Sequence, residues 1–507
     1  MFIRKLKSRN GNIQIQVVKK INRNNHLIKH LGTARNELEI GQLTTQAQNY
    51  IDEQRIKSGK VSFFDSRYTQ SELEQLLSHI SIVRTLDTVI YTFFSFFYHE
   101  LGFSSLSNTC FQDLVIARII HPVSKAKTRD WLEERLLHLY SLSKMYRCME
   151  TAYQLKYQEQ LENLVWDFAV KTFAPAISVL FFDVTTLYYE AFDEDDVRKC
   201  GFSKDKKDNQ PQLIIALTVT TQGFPIQVRV FPGNKFEGHT MVPCIQDLTT
   251  KHNLDKLIIV ADSAMVSSTN MEQLEAEGLQ YIVGARLGNI SASLFERVVS
   301  QTPRVDGASA RFSLGNGRIM VVGYTTKRAN KDRADRNKQM RRAWYALQHP
   351  ASIARRYKYL KKSGKTKQWE INQTNVEKAE KLEGLKGYVT NANNLSNEAI
   401  IAKYASLWQV EKSFRISKSD LKARPIFHTV REKIEAHVTI VFAALAISRY
   451  AEIATGQSIQ RLVEHLDQVK EVILQDQVSG AVISKYTQTQ NQETQKLLKL
   501  AKLSWVT

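Results

Sequence analysis

The spacing of apolar and polar positions changes several times along the chain, and each change predicts a different kind of element. In residues 1–33 the stretch NIQIQVVKK alternates, NRNN breaks it and HLIKHLG resumes, which predicts a small β-meander. Residues 34–57 take up helical spacing. Residues 70–175 are dominated by helical patterns with aromatic stripes at Phe93, Phe94, Phe96 and Phe97, and with Arg118, Lys125, Lys127 and Arg129 interleaved. From 178 the rhythm becomes that of strands. SVLFFDVTTLYYE reads as one buried strand, and QLIIALTVTTQGFPIQVRVFPGN as a hairpin turning at Thr221-Gln222-Gly223. MVPCIQDLTTKH is helical, KLIIVADSAM is a buried strand running into Asp262, NMEQLEAEG is a helix stopped by Gly278, and QYIVGARL is a further strand. The predicted order is β-β-β-α-β-α-β. The first three strands are expected to be antiparallel and the last two parallel to the first.

Residues 288–385 interrupt this order. They open on a strand-like ARFSLGNGRIMVVGYTT and continue into a basic helical stretch at 327–367, which holds 15 Lys or Arg against two Asp. GLKGYVTNAN reads as a strand and turn, residues 396–420 as one long amphipathic helix, residues 432–453 as an apolar helix, and the tail to 507 as helical and lysine-rich.

Composition narrows the partners. The 507 residues carry a formal net charge of +19. Such an excess points to a polyanion, nucleic acid first and an acidic membrane surface second. The apolar run VTIVFAALAI at 438–447 is shorter than the ~20 residues a bilayer requires, and the N-terminus lacks a signal core, so no membrane role is expected. Cys110, Cys148, Cys200 and Cys244 are too scattered for a zinc knuckle and read as reduced cysteines of a cytoplasmic protein.

The candidate chemistry lies in the carboxylates. Asp183 and Asp262 each follow an apolar strand of four or five residues, where a buried charge is costly unless it is paired or holds an ion. Two such residues on neighbouring strands, with no Cys or His cluster, suit a hard cation such as Mg²⁺. Glu411 is the third candidate. Tyr404, Glu411 and Lys418 are spaced by seven and share a helix face with Leu407, Trp408 and Phe414, which predicts an acid on a packing face.

These residues resemble the DDE transposases of bacterial insertion sequences, in particular the branch with a Tyr-x2-Arg-x3-Glu-x6-Lys signature. Tyr404, Glu411 and Lys418 fall on its spacing, while Leu407 occupies its Arg position and Arg415 lies one turn beyond Glu411. The resemblance implies an α/β, ribonuclease H-like mixed sheet interrupted by an insertion, preceded by the β-meander and a helical region. It implies two Mg²⁺ ions, replaceable by Mn²⁺, held by Asp183, Asp262 and Glu411. Those ions would serve cleavage at transposon ends followed by 3′-hydroxyl strand transfer. It also implies DNA partners (terminal inverted repeats and target), a homodimer on DNA, and a bacterial cytoplasmic, nucleoid-associated location. Tyr404, Lys418, Arg415, Arg424, Arg341 and Arg342 are the expected DNA contacts, and Asn234 and Glu237 lie in a loop that could overlook the site or form a solvated turn. The DEDD run at 193–196, near Lys204, Lys206 and Lys207, reads as a solvated loop. Trp344, Tyr345 and Tyr357, among the basic residues, could stack on an unpaired base or pack in a core.

The expected organisation is 1–60 meander and helix, 61–175 helical and DNA-contacting, 176–287 with 388–455 as the catalytic core, 288–387 as the insertion, and 456–507 as a helical tail. Two alternatives use the same residues differently. One is a ribonuclease H-like nuclease or resolvase that cleaves without joining. The other is a transposase-derived DNA-binding protein that needs none of the carboxylates.

Overall fold

The computed structural model describes residues 1–8, 12–21, 24–57, 77–173, 178–189, 193–201, 209–254, 257–263, 267–349, 357–363 and 368–503. The chain divides into two units, Met1–Val83 with Leu474–Ile483, and Arg84–Ile473 with Ser484–Thr507. In the first unit, strands Phe2–Lys7, Ile13–Ile21 and Asn24–Ala34 form the expected antiparallel meander. The helix Glu37–Lys57 packs on it, burying Ala47 and Ile51 against Ile15 and Val17. The alternation of IQIQV puts Ile13, Ile15 and Val17 on one face, which this helix covers.

The second unit is built on a mixed sheet of eight strands. Across the sheet they run Ser309–Gly315, Arg318–Tyr324, Leu385–Thr390, Gln280–Ala285, Ile258–Ala261, Val179–Tyr188, Gln212–Val219 and Pro225–Pro232. The pairings of Val179–Tyr188 with Gln212–Val219, and of that strand with Pro225–Pro232, are antiparallel; Ile258–Ala261 and Gln280–Ala285 run parallel to the first strand. This is the predicted order and sense. The segment expected as an insertion is more closely bound to the sheet than its sequence suggested. Two of its strands extend the sheet: Ser309–Gly315 pairs with Arg318–Tyr324, which pairs with Leu385–Thr390, itself antiparallel to Gln280–Ala285. The helices and short strands described between Thr326 and Lys381 leave the sheet.

The other face of the unit is helical. Helices Thr88–Glu100, Thr109–Ile120, Leu142–Gln154 and Tyr157–Phe173 surround the apolar helix Arg431–Thr455. That helix is long and apolar enough to pass a membrane-span test, yet 78% of its apolar window is buried inside the protein. Phe93, Phe94 and Phe97 are fully buried, so the aromatic stripe is core. Two elements depart from the sequence reading. The tail contains strands Glu471–Asp476 and Val482–Tyr486, where β-branched residues prevail over the surrounding lysine-rich helical pattern. The 396–420 stretch is three pieces: helix Asn397–Ala405, helix Trp408–Arg415, and a π turn over Ile416–Asp420.

A half-buried histidine makes acid sensitivity predictable. His252 stacks on Trp166 with ring centres 4.0 Å apart, and burial, then Lys251, push its pKa from 6.5 down to about 4. The folded protein therefore refuses a proton that the unfolded chain accepts. The neutral ring's contribution is present above 6.5 and is lost as pH falls through the depressed value. His252→Phe keeps the stack and removes the titration. The stability of wild type relative to this variant should fall between pH 7 and pH 4.5 in chemical denaturation; a constant difference would show that His252 does not titrate this way.

Candidate functional site

Asp183 and Asp262 end up side by side because of strand register. Phe182 pairs with Ala261 in the parallel ladder; Asp183 is the next residue of its strand, and Asp262 directly follows its own. Within Val179–Leu187, Asp183 alone is half-exposed while its neighbours are buried, so its strand is in the core but its carboxylate is not sealed there. One of its oxygens, Oδ1, accepts from the Val184 amide at 2.8 Å. Asp262 is exposed at the end of its strand. The carboxyl ends of parallel strands are where open α/β sheets place ligands.

Helix Asn397–Ala405 packs across the Asp262 strand and its neighbour Gln280–Ala285. Its buried Tyr404 donates a hydrogen bond to Asp262 Oδ1 at 3.0 Å. Gly284 makes this approach feasible: a Cβ there would lie 2.6 Å from the Tyr404 hydroxyl. Burial, then the Asp262 charge, raise the Tyr404 pKa, with Glu411 adding a smaller push, so the phenol stays a proton donor. Lys386 sits in the same place, half-buried, its ammonium 4.4 Å from the centre of the Tyr404 ring. Burial, then Arg328, lower its pKa, while Asp262 and Glu411 oppose that shift. Asp262, Glu411, Tyr404 and Lys386 therefore share one electrostatic neighbourhood.

Glu411 itself is exposed, against the expectation of a packing face. A seven-residue spacing keeps one face only along a continuous helix. The break at Ser406–Leu407 shifts the phase, so that Tyr404 is buried, Glu411 faces solvent and Lys418 is half-buried in the π turn. The helix carrying Glu411 nevertheless packs on the Asp183 strand. Among the described residues no three His, Cys, Asp or Glu side chains are gathered closely enough to hold a metal ion. The donor chemistry at Asp183 and Asp262 suits a hard divalent ion, but the third carboxylate does not close the set.

A groove of ≈ 550 Å³ opens from Asp262 and Tyr404 and is walled on its far side by helix Thr326–Gln348. Arg328 and Arg336 on that helix, Lys358 beyond it and Lys386 on the sheet line the groove, with Asp332 and Asp335 among them. The sequence reading missed these four cations as groove residues, although the basic stretch was the signal for three of them. Lys386 could have been suspected as a lysine within a strand beside Gly387, where a solvated face is not expected. The basic helix is also better compensated than its sequence implied: Arg336 pairs with Glu380 at 3.0 Å and Glu383 at 2.8 Å, and Arg333 pairs with Glu383 at 3.1 Å. Residues 350–356 and 364–367 of that stretch lie outside the described residues.

The other expected contacts are dispersed. Arg341 and Arg342 are exposed on the basic helix and do not line the groove. Trp344 and Tyr345 are exposed beside them, and Tyr345 stacks on His349 at 4.3 Å, whereas Tyr357 packs in a small core. Arg415 is exposed; Leu407, at the signature's Arg position, is buried at the start of the Glu411 helix. The Arg424 guanidinium lies 5.4 Å from the centre of the Tyr188 ring, at the end of the Asp183 strand. Exposed Asn234 and half-buried Glu237 sit on the loop after Pro225–Pro232, which Asn270 ties at 2.6 Å, through the Gly238 carbonyl, to the helix following Asp262. In the DEDD run, Asp195 caps the Val197 and Arg198 amides and pairs with the Arg198 guanidinium at 2.7 Å, a structural role. The nearby Lys204, Lys206 and Lys207 lie outside the described residues.

Comparison with known proteins places a family on this geometry. No curated protein matches the chain. Among solved structures, a piggyBac transposase synaptic complex with hairpin DNA is similar over 75% of this chain and 76% of that one, at 11% identity and a TM-score of 0.38. The family model for the transposase DDE domain matches residues 174–447, a span that takes in Asp183, Asp262 and Glu411 and more than half of the chain. On that match, the chain belongs to the DDE-domain transposase family.

Proposed function

We propose that this protein cuts DNA at the ends of an insertion sequence and joins the released 3′-hydroxyl to target DNA, with Asp183, Asp262 and Glu411 as the reactive carboxylates. The observation that carries the reading is the register-matched pair Asp183 and Asp262, of which Asp262 lines a groove with a basic wall, inside the span matched by the transposase domain. When bound there, Mg²⁺ would stabilise charge on the attacking and leaving oxygens of an in-line displacement.

The remaining work falls to the chain's own side chains. The Tyr404 hydroxyl holds one oxygen of Asp262, which lines the groove. Lys386 brings a positive charge to the developing negative charge of a phosphorane-like transition state from within a partly desolvated wall, where it acts more strongly than in water. Arg328, Arg336 and Lys358 extend the cationic track away from the cut, where phosphate contacts set affinity and register. Lys418, Arg415, Arg424, Arg341 and Arg342 serve as further DNA contacts, and two protomers hold the two ends.

The test uses DNA carrying the inverted repeats that flank the gene, with Mg²⁺ and a target plasmid. End cleavage together with joined product is the expected result. Cleavage without joining would replace this reading with that of a nuclease, and repeat binding without cleavage would replace it with that of a DNA-binding derivative.

A further inference from the structure

Among the described residues, two cations of the helical region are buried without counterions. Arg118, at the end of helix Thr109–Ile120, is 7% exposed, and Lys125, at the start of helix Lys125–Leu136, is 5% exposed. Among the described residues neither forms an ion pair, unlike the buried Arg449, which is paired with Glu452. Both line a cavity of ≈ 260 Å³ together with Lys422, Arg424, His428 and His437. Apart from the Tyr146 phenol, the titratable lining residues are cationic or imidazole, and no carboxylate is among them. Burial, then Lys125 and Arg118, push His428 down to about 4, and burial, then Arg118 and Lys125, push His437 down as well. Burial alone brings Arg118 to about 10. His437 uses Nε2 toward the Ala423 carbonyl at 3.2 Å, and its buried Nδ1 has no hydrogen-bond partner.

Proteins rarely leave a desolvated cation uncompensated, because the charge loses its water and gains nothing in return. Two of them lining one cavity, with no acid opposite them among the described lining residues, describe an anion site. We infer that this cavity holds a phosphate group of bound DNA, gripped by Arg118 and Lys125 and bordered by Lys422 and Arg424. The guanidinium–ammonium pair matches a tetrahedral oxyanion. DNA is the favoured source because the cavity adjoins the Asp183 strand through Arg424 and Tyr188. Five residues of strand separate Tyr188 from Asp183, about 17 Å, which is the axial rise of about five nucleotides. This placement rests on the proposal that Asp183 marks the point of cleavage; the anion site itself does not.

The full-length protein is melted in phosphate and in chloride at equal ionic strength, as wild type, Lys125→Met and Asp262→Asn. Wild type should gain a saturable, phosphate-specific rise in Tm. Lys125→Met should melt above wild type in chloride, since it removes a buried charge, and should lose the phosphate response. Asp262→Asn should keep that response, which separates this cavity from the proposed cleavage site. Binding to duplex DNA across a salt series supplies the second arm: the slope of log K against log salt should shrink by about 0.9 for Lys125→Met, one phosphate contact. A lost phosphate response with an unchanged slope would support the anion site but assign it to free phosphate. No phosphate-specific rise in wild type, an intact response in Lys125→Met, or a lower melting point or failed folding of that variant in chloride would overturn the proposal. An inactive protein with the full phosphate response would sink only the transposition reading.

Discussion

Asp262→Asn is expected to abolish end cleavage while leaving the fold and DNA binding in place. The substitution keeps shape and removes charge at a position exposed to the groove, so little packing is at stake. Losing about 4 kcal/mol of transition-state charge stabilisation corresponds to about a thousandfold in rate. Asp183→Asn should behave in the same way, because the two residues are equivalent in register. Tyr404→Phe is the informative contrast. It removes one hydrogen bond to a charged group, worth about 1.5–3 kcal/mol, and so should slow cleavage by about 10- to 100-fold. Glu411→Gln decides the third position: a loss as deep as that of Asp262→Asn would identify it as the remaining carboxylate. Activity within a few-fold of wild type would move that role elsewhere. Single-turnover cleavage of a labelled repeat end, with binding measured in parallel, reads all four variants.

Arg449→Met should be the most damaging single change to the folded state of the larger unit. The Arg449 side chain is 3% exposed and is the junction of three elements. It donates to the Gln222 carbonyl at 2.5 Å and the Gly223 carbonyl at 3.0 Å in the hairpin turn, and to Gln409 Oε1 at 3.0 Å on the Glu411 helix. It also pairs with the buried Glu452 at 2.5 Å. The second Glu452 oxygen caps the Ile459 amide at 3.0 Å, so the acid cannot move away when its partner is removed. Breaking a buried pair of this kind costs about 3–5 kcal/mol. Lys412, 2.7 Å from Glu452, should hold the loss toward the lower end of that range. Gly223→Ala approaches the same junction from the other side. Gly223 has φ +77°, and a Cβ there would lie 2.4 Å from Arg449 Nη2 and 2.8 Å from Gln409 Oε1. Denaturant melts should show both variants destabilised, and cleavage at a temperature where they remain folded should also fall, because Ser413 hangs the Glu411 helix on the Gly223 carbonyl at 2.9 Å. Wild-type stability in Arg449→Met would mean that the hairpin and helix are held by apolar packing alone.

Much of this was present in local patterns. Alternation identified the meander, unbroken apolar runs identified the central strands, and a carboxylate at the end of two such runs marked the candidate site. These features depend on neighbours one to four residues apart, and a sequence carries that information directly. Gly223, in a turn between two strand patterns, belongs to the same class. What a sequence does not carry is which distant segments become neighbours. Strands Ser309–Gly315 and Arg318–Tyr324 resemble an independent hairpin until Leu385–Thr390 is found beside them. The break at Ser406–Leu407 has no Pro or Gly to announce it, and it turns Glu411 from a packing face to solvent. Lys386 is an ordinary strand lysine until folding sets it against Tyr404, some 18 residues later in the chain. The same holds for Arg118 and Lys125. By sequence they belong to a solvated basic face, and only the packing of segment 422–428 and helix Arg431–Thr455 over them removes their water. The sequence alone determined which residues could carry charge and which strands would be buried. The tertiary structure decided which charges lost their solvent and which partners they met, because desolvation and pairing are properties of contacts made across the chain.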